Sequence, residues 1–368
     1  MTKTSVAVVF GGKSSEHTIS CATAAGVLAA IDRDRYEVTP IGVTREGRWV
    51  VAADEADRWA IEPGKLPEVT DADGAQVTVP MGAAGALTVA EPGDPPEQLA
   101  QVDVVFPLLH GPFGEDGTIQ GMLELAGIPY VGSGVLASAA GMDKHYMKVV
   151  LAAAGIPIGP SVTITARQWR TDREKAIAAV AELGLPVFVK PARAGSSVGI
   201  TRVDQLVDLA AAVEHAQQHD PKVLVEAGIA GREIECAVLQ GHGDDPPRTS
   251  GVGEIVVGSE HPFYDYEAKY FDADHLDIRI PADVPPEVVR RMQHLAAATF
   301  EALDCEGLGR VDFFYTPEGD VLVNEINTMP GFTPFSMYPM LWQAQGLSYT
   351  DLITELIELA RERSVGLR

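Results

Sequence analysis

Apolar and polar positions alternate along the chain in blocks that predict strand and helix in turn. Residues 6–10 form a continuous apolar run ended by Gly11-Gly12, the pattern of a short buried strand. A helix is expected to begin near His17 to Ser20 and to run through 22–31. Further strands are expected over 38–43 and 103–109. Strands separated by helices predict a mostly parallel α/β unit. Residues 52–100 break the pattern. Rich in Ala, Gly, Pro, Asp and Glu, they read as a surface excursion with a few short strands.

A helix over 142–154, stopped by Gly155 and Pro157, sets a first boundary near 140. The next unit holds strands at 161–165, 187–190, 198–203 and 222–227. Its helices are expected at 172–183, with Asp172 as N-cap, and at 204–217, with Asp204 as cap. From about residue 231 the pattern predicts strands at 232–239 and 249–257, an aromatic loop at 261–272 and a helix at 286–303. An amphipathic helix from Ser348 to about Arg363 ends the chain. Leu352, Ile353, Leu356, Ile357 and Ala360 form its apolar face, and Ser348 with Asp351 resembles a capping box.

Between these helices lies Arg310-Val-Asp312-Phe-Phe-Tyr-Thr-Pro-Glu-Gly319-Asp-Val-Leu-Val-Asn324-Glu325-Ile-Asn327, two strands (310–315 and 321–327) joined by a turn. Side chains two apart share a strand face, so Arg310 goes with Asp312 and Glu325 with Asn327. Folding the hairpin sets Asp312 beside Glu325, within one residue of register. Two carboxylates and an amide oxygen then converge beside a guanidinium. Hard oxygen donors of this kind suit Mg2+, which takes its other ligands from water and phosphates. The alternative, a solvent-facing hairpin with scattered charges, fits poorly with its otherwise apolar strands.

Composition narrows the partners. A net charge of −24 argues against nucleic acid or an anionic membrane, but not against a local phosphate site. Cys21, Cys236 and Cys305 form no CxxC and read as buried thiols of a reduced compartment. No signal peptide or membrane-length apolar run is visible, so a cytoplasmic protein is expected.

Gly12-Lys13-Ser14 imitates the end of a P-loop, but Ala7 stands where the loop needs its first glycine. A better nucleotide signal is Val187-Phe-Val-Lys190-Pro-Ala-Arg193-Ala-Gly195-Ser196-Ser197-Val-Gly199. There a strand ends in a lysine, and a Gly/Ser loop follows whose N–H and hydroxyl groups suit phosphates. By itself this loop reads equally well as a flexible hairpin tip. Lys144 and the carboxylate hairpin tip the balance toward phosphate.

Together with Gly11-Gly12-Lys-Ser14-Ser15-Glu16-His17, His110-Gly-Pro-Phe-Gly114-Glu115-Asp116-Gly117, Tyr264-Asp-Tyr-Glu-Ala-Lys269-Tyr270 and Asn324-Glu-Ile-Asn-Thr-Met-Pro-Gly331-Phe-Thr, these residues resemble the D-alanine–D-alanine ligases of the ATP-grasp superfamily. The resemblance runs in order over essentially the whole chain. The departures, at 52–100 and 241–247, are expected to leave every motif untouched.

The resemblance implies a three-domain α/β (α+β) architecture, divided as 1–140, 141–230 and 231–368, with ATP held between two sheets. Lys144 and Lys190 would contact phosphates, and Glu226, Ile229 and Glu233 the adenosine. Ser196 and Ser197, in a loop closing over the triphosphate, and Lys269 would join the nucleotide contacts. Asp312, Glu325 and Asn327 would hold two Mg2+ ions, with Mn2+ able to substitute and K+ as an accessory cation. Glu16 would bind the ammonium of the first D-alanine and form a hydrogen-bonded group with Ser196 and Tyr270. His110 is placed near the same substrate, whereas His17 reads as a helix cap. Arg310 and the Gly331 N–H would stabilise an oxyanion, and Ser336 and Met337 match the region that receives the second carboxylate. A homodimer serving peptidoglycan synthesis follows from the same resemblance. The rivals are a ligase using D-lactate or D-serine as second substrate, and an ATP-grasp protein that binds nucleotide without catalysis.

Overall fold

The computed structural model describes residues 3–363 apart from 63, 65, 83–84, 91–96 and 258–275. Three sheets organise these residues.

The first sheet has seven strands in the order β6-β5-β4-β3-β2-β1-β7. Next to one edge is β1 (Thr4–Gly11), flanked in parallel by β2 (Tyr36–Val43) and the edge strand β7 (Val104–Pro107). The parallel character stops there. β3 (Trp49–Val51), β4 (Gln76–Thr78), β5 (Ala86–Ala90) and β6 (Glu97–Gln101) extend the sheet antiparallel. The few short strands expected in 52–100 are present, but they belong to the sheet rather than to a surface excursion, and Val77 and Leu87 are buried. Helix α1 (His17–Ala30) crosses back over β1, and α2 (Thr118–Ala126) and α3 (Val135–Met142) follow β7.

The helix expected over 142–154 is α4 (Lys144–Ala153), which begins after Asp143, whose carboxylate accepts from the N–H groups of His145 and Tyr146; α3 ends just before it at Met142. That cap satisfies N–H groups that a helix start leaves without intrahelical partners. The second sheet is antiparallel, in the order β10-β9-β11-β8, from β8 (Ser161–Thr165), β9 (Val187–Pro191), β10 (Thr201–Val203) and β11 (Lys222–Ala227). Helices α5 (Ala166–Thr171), α6 (Arg173–Ala181) and α7 (Leu209–Ala216) accompany it. Two expected caps differ. Asp172 holds the N-cap position of α6 without a side-chain cap bond, while Thr165 and Gln168 form a capping box one helix earlier. Asp204 caps nothing, because the helix expected from 204 starts only at Leu209, with Asp208 at its N-cap position; one Asp204 oxygen accepts instead from the guanidinium of Arg202.

The third sheet is also antiparallel: β14-β13-β12-β15-β16, from β12 (Arg232–Leu239), β13 (Arg248–Val257), β14 (Leu276–Arg279), β15 (Leu308–Tyr315) and β16 (Val321–Asn327). Helix α8 (Pro286–Ala302) covers it through Met292, Ala296 and Phe300. After β16 come the short helix α9 (Met337–Gln343) and the terminal α10 (Tyr349–Glu362). The Ser348 hydroxyl accepts from the Asp351 N–H, as the capping pattern predicts. The apolar face of α10 joins Val6, Val8 and Phe10 of β1 in one core with Phe332 and Tyr338. This shared core carries the end of the chain back onto the first sheet.

Candidate active site

A cavity of about 520 Å3 lies where the three sheets meet. On one wall Asp312 pairs with Glu325 and Arg310 with Asn327 across β15 and β16, the register that strand alternation predicts. On the other side of β15, Glu235 of β12 stands opposite Asp312. Arg310 donates to both oxygens of Asp312, at 2.7 and 2.8 Å, and lies 2.9 Å from Glu235. The Asn327 amide donates to Asp312 at 3.0 Å. Burial disfavours the Arg310 charge, but Asp312 and Glu235 overcome this and hold its pKa well above the ordinary value. A guanidinium placed so cannot lose its proton and presents a fixed positive charge to the cavity.

Opposite this wall stand three lysines. Lys144, at the start of α4, reaches Glu325 at 3.2 Å and the Ala194 carbonyl at 3.0 Å. Glu226 of β11 sits between Lys148, at 2.7 Å, and Lys190, which pairs with its other oxygen. Burial raises the carboxyl pKa, yet the two ammonium groups win and pull Glu226 down to about 2. Lys190 is shifted up by the same carboxylate against its own desolvation.

The Gly/Ser loop arches from β9 toward the first sheet. Ser196 and Ser197 adopt left-handed backbone angles, φ 49° and 58°. In that geometry the Ser196 hydroxyl donates to Glu16 Oε1. Glu16 is buried at the N-terminus of α1, and two glycines make room for it. A Cβ on Gly111 would stand 2.5 Å from Glu16 Oε2, and one on Gly195 2.8 Å away. An anionic oxygen enclosed in this way suits a small cationic group.

His110 and Glu115 close this end. Ser14 donates to the His110 carbonyl at 2.6 Å, joining the two glycine-rich loops. Burial depresses the His110 pKa. Burial and the Glu16 charge push the Glu115 carboxyl up to about 8, against its two N–H donors and Lys144.

His17 is not a cap. It is buried, and its Nε2 accepts from the Val69 N–H at 3.0 Å, so Nδ1 carries the proton and donates to the Gly12 carbonyl at 2.7 Å. The 52–100 segment thus reaches a motif it was expected to leave untouched.

The cavity brings together Glu16, His110, Lys144, Lys190, Ser196, Ser197, Glu226, Ile229, Glu233, Arg310, Asp312, Glu325, Asn327 and Gly331. Ser336 and Met337 are not among its lining. Ser336 sits at the start of α9, within 2.8 Å of the Thr333 hydroxyl, and Met337 is buried against Gly253. Lys269 and Tyr270, with Tyr264 and Tyr266, lie outside the described residues. Lys148 and Glu235 were missed, although each carried a signal. Lys148 is four residues from Lys144 on one helix face, and Glu235 two from Glu233 on one strand face.

The family profile described as D-ala D-ala ligase N-terminus matches residues 5–133, and D-ala D-ala ligase C-terminus matches 150–358. A D-alanine–D-alanine ligase of Arthrobacter sp. (strain FB24) is 58% identical over 367 residues, covering 100% of this chain and 96% of that protein. One from Streptomyces avermitilis is 53% identical over 374 residues, covering 100% and 96%. Among solved structures, the VanG D-Ala:D-Ser ligase from Enterococcus faecalis superposes with a TM-score of 0.82 at 37% identity, over 98% of this chain and 100% of that one. The D-alanine-D-alanine ligase from Coxiella burnetii gives 0.81 at 36% identity, over 98% and 94%. With both halves of the chain matched and its sheets arranged as in the solved relatives, this protein belongs to the D-alanine–D-alanine ligase family and has its ATP-grasp architecture.

Proposed function

We propose that the chain joins two molecules of D-alanine into D-alanyl-D-alanine for peptidoglycan synthesis, using ATP and a D-alanyl phosphate intermediate. The observation that carries this reading is the in-register set Arg310, Asp312, Glu325 and Asn327, in one cavity with Lys144, Lys190 and the Glu16–Ser196 pair.

An amine does not displace water from a carboxylate unaided, so the acyl group must be activated. A carboxylate oxygen of the first D-alanine attacks the γ-phosphorus, and the bond from that phosphorus to ADP breaks. The amine nitrogen of the second D-alanine then attacks the acyl carbon. Phosphate leaves with its oxygen, and the nitrogen sheds a proton. Glu16 holds the first ammonium, and Lys144 and Lys190 offset phosphate charge. Arg310 and the Gly331 N–H receive the tetrahedral oxyanion, a role that depends on donors fixed beforehand. Glu226, Ile229 and Glu233 take the adenosine. The Ser196–Ser197 loop excludes water from the reactive acyl phosphate, Tyr270 joins the Glu16–Ser196 group, and Lys269 joins the nucleotide contacts. We assign the segment at Ser336 and Met337 to the region that receives the second carboxylate, although neither residue lines the cavity.

Asp312, Glu325 and the Asn327 amide oxygen would hold Mg2+, which supplies charge neutralisation to the triphosphate. Their donor set fits. Two carboxylates and an amide oxygen are hard donors of the kind Mg2+ takes. Among the described residues no group of three or more His, Cys, Asp or Glu could hold a metal alone, so phosphate and water would complete the shell. Mn2+ accepts the same oxygens.

We further assign domains 1–140, 141–230 and 231–368, a homodimeric assembly and a cytoplasmic location. Among the described residues no helix is long and apolar enough to cross a membrane.

A solved D-Ala:D-Ser ligase shares the fold, so the second substrate needs its own test. In a competition of D-alanine, D-serine and D-lactate as acceptors, with products resolved by mass, D-alanyl-D-alanine should dominate. A predominant D-alanyl-D-serine or D-alanyl-D-lactate product would reassign the acceptor.

A further inference from the structure

Met329 lies between two working parts of the cavity, two residues after Asn327 and two before Gly331. Both polar atoms of its backbone are held by the loop that follows β7, in the first unit. Its N–H donates to Glu115 Oε1 at 3.2 Å. Its carbonyl lies 3.2 Å from His110 Nδ1. A carbonyl can only accept, so His110 carries its proton on Nδ1, and Nε2 accepts from the Thr23 hydroxyl at 3.3 Å. The second Glu115 oxygen, Oε2, accepts from the Gly111 N–H at 2.7 Å. Gly111 in turn packs on Glu16, where it has no room for a Cβ. One carboxyl group therefore ties the backbone beside the ammonium site to the backbone leading to Gly331, across 214 residues of sequence.

We propose that Glu115 is a positioning residue that locks the 328–331 loop onto the 110–114 loop, so that the Gly331 N–H is aimed only when the first-substrate loop is in place. This rests on the oxyanion role given to Gly331 under the proposed function. An oxyanion donor works at roughly 2.7–3.1 Å, and a misplacement of about 1 Å costs on the order of a hundredfold in rate. A link that sets the loop's position is therefore a kinetic element with no bond-making role required of Glu115. Formation of the acyl phosphate has no tetrahedral carbon oxyanion. It should depend on the link much less than dipeptide formation does.

The test compares Glu115→Gln and Glu115→Ala with the wild type. Gln keeps the volume and one acceptor oxygen, but its NH2 cannot accept from a backbone N–H. Ala removes both links. Two rates are measured in the full-length protein: D-alanyl-D-alanine release, and D-alanine-dependent scrambling of a heavy-oxygen label within ATP, which reports reversible acyl-phosphate formation. The KM for ATP and the circular dichroism spectrum are recorded alongside. The expected result is a kcat for dipeptide lowered about tenfold in Gln and about a hundredfold in Ala. Scrambling should fall by less than about threefold and the KM for ATP should stay within about twofold. Should Ala fail to fold, the Gln variant alone decides. Dipeptide formation and scrambling falling in proportion, a raised KM for D-alanine with unchanged kcat, or rates equal to wild type would each overturn the proposal. If the wild type itself shows neither scrambling nor ADP release with D-alanine, the proposed function fails instead.

Discussion

Glu226→Gln tests the charge balance of the nucleotide wall. The carboxylate is 9% exposed and lies between the Lys148 and Lys190 ammonium groups. Its pKa falls from 4.5 to about 2, which at 1.36 kcal/mol per unit corresponds to about 3 kcal/mol favouring the charged, folded form. The figure agrees with the roughly 3–5 kcal/mol lost when one partner of a buried ion pair is removed. For 368 residues the unfolding entropy is roughly 0.8 kcal/mol per kelvin, so the variant should melt at least about 4 °C lower at pH 7. The sign with pH follows from the depressed pKa. The contribution is complete above the unfolded value of 4.5 and is lost as pH falls through the folded value of about 2. The wild type and the variant should therefore converge over that window. Thermal unfolding by circular dichroism, run from pH 7 to pH 2 without ATP, gives both readings. A variant melting within 1 °C of wild type at pH 7 would show that Lys148 and Lys190 do not depend on this carboxylate, and the argument would fall.

Glu325→Gln removes one negative charge from the proposed Mg2+ site and should lower kcat about a hundredfold or more at ordinary Mg2+ levels; a near-wild-type kcat would refute the metal assignment. Glu16→Gln loses a charge-assisted hydrogen bond to the first ammonium, about 1.5–3 kcal/mol, so the KM for D-alanine should rise tenfold or more while the KM for ATP stays. Equal damage to both would contradict it. Gly111→Ala should act in the same direction, because the new Cβ would stand 2.5 Å from Glu16 Oε2 on a backbone with φ 73°; unchanged D-alanine kinetics would show that Glu16 does not need that space.

The hairpin was legible because alternation of period two and a short turn leave little freedom of register. Asp312 meets Glu325 as the pattern predicts, although a bulge follows at Phe313. The terminal helix was legible from its apolar face and Ser348. The 52–100 segment was legible as a few short strands but not as part of the first sheet. Its strands are three to five residues long, and their Ala, Thr and Gln positions hide the alternation that buries Val77 and Leu87. Asp204 misled because a short 3-10 turn, Leu206–Asp208, comes first and moves the helix start to Leu209. The ties among Glu115, Met329 and His110 span more than 200 residues, and no local pattern encodes them. His17 reads alone as a cap because its partner Val69 is 52 positions away.

The central claim is ATP-driven joining of two D-alanines in this cavity. Its most direct measurement is the stoichiometry of ADP and dipeptide released by the purified protein with ATP, Mg2+ and D-alanine, with L-alanine as control. One ADP per D-alanyl-D-alanine, and neither product with L-alanine, is the predicted result. ADP release that is independent of D-alanine, or no dipeptide, would contradict it.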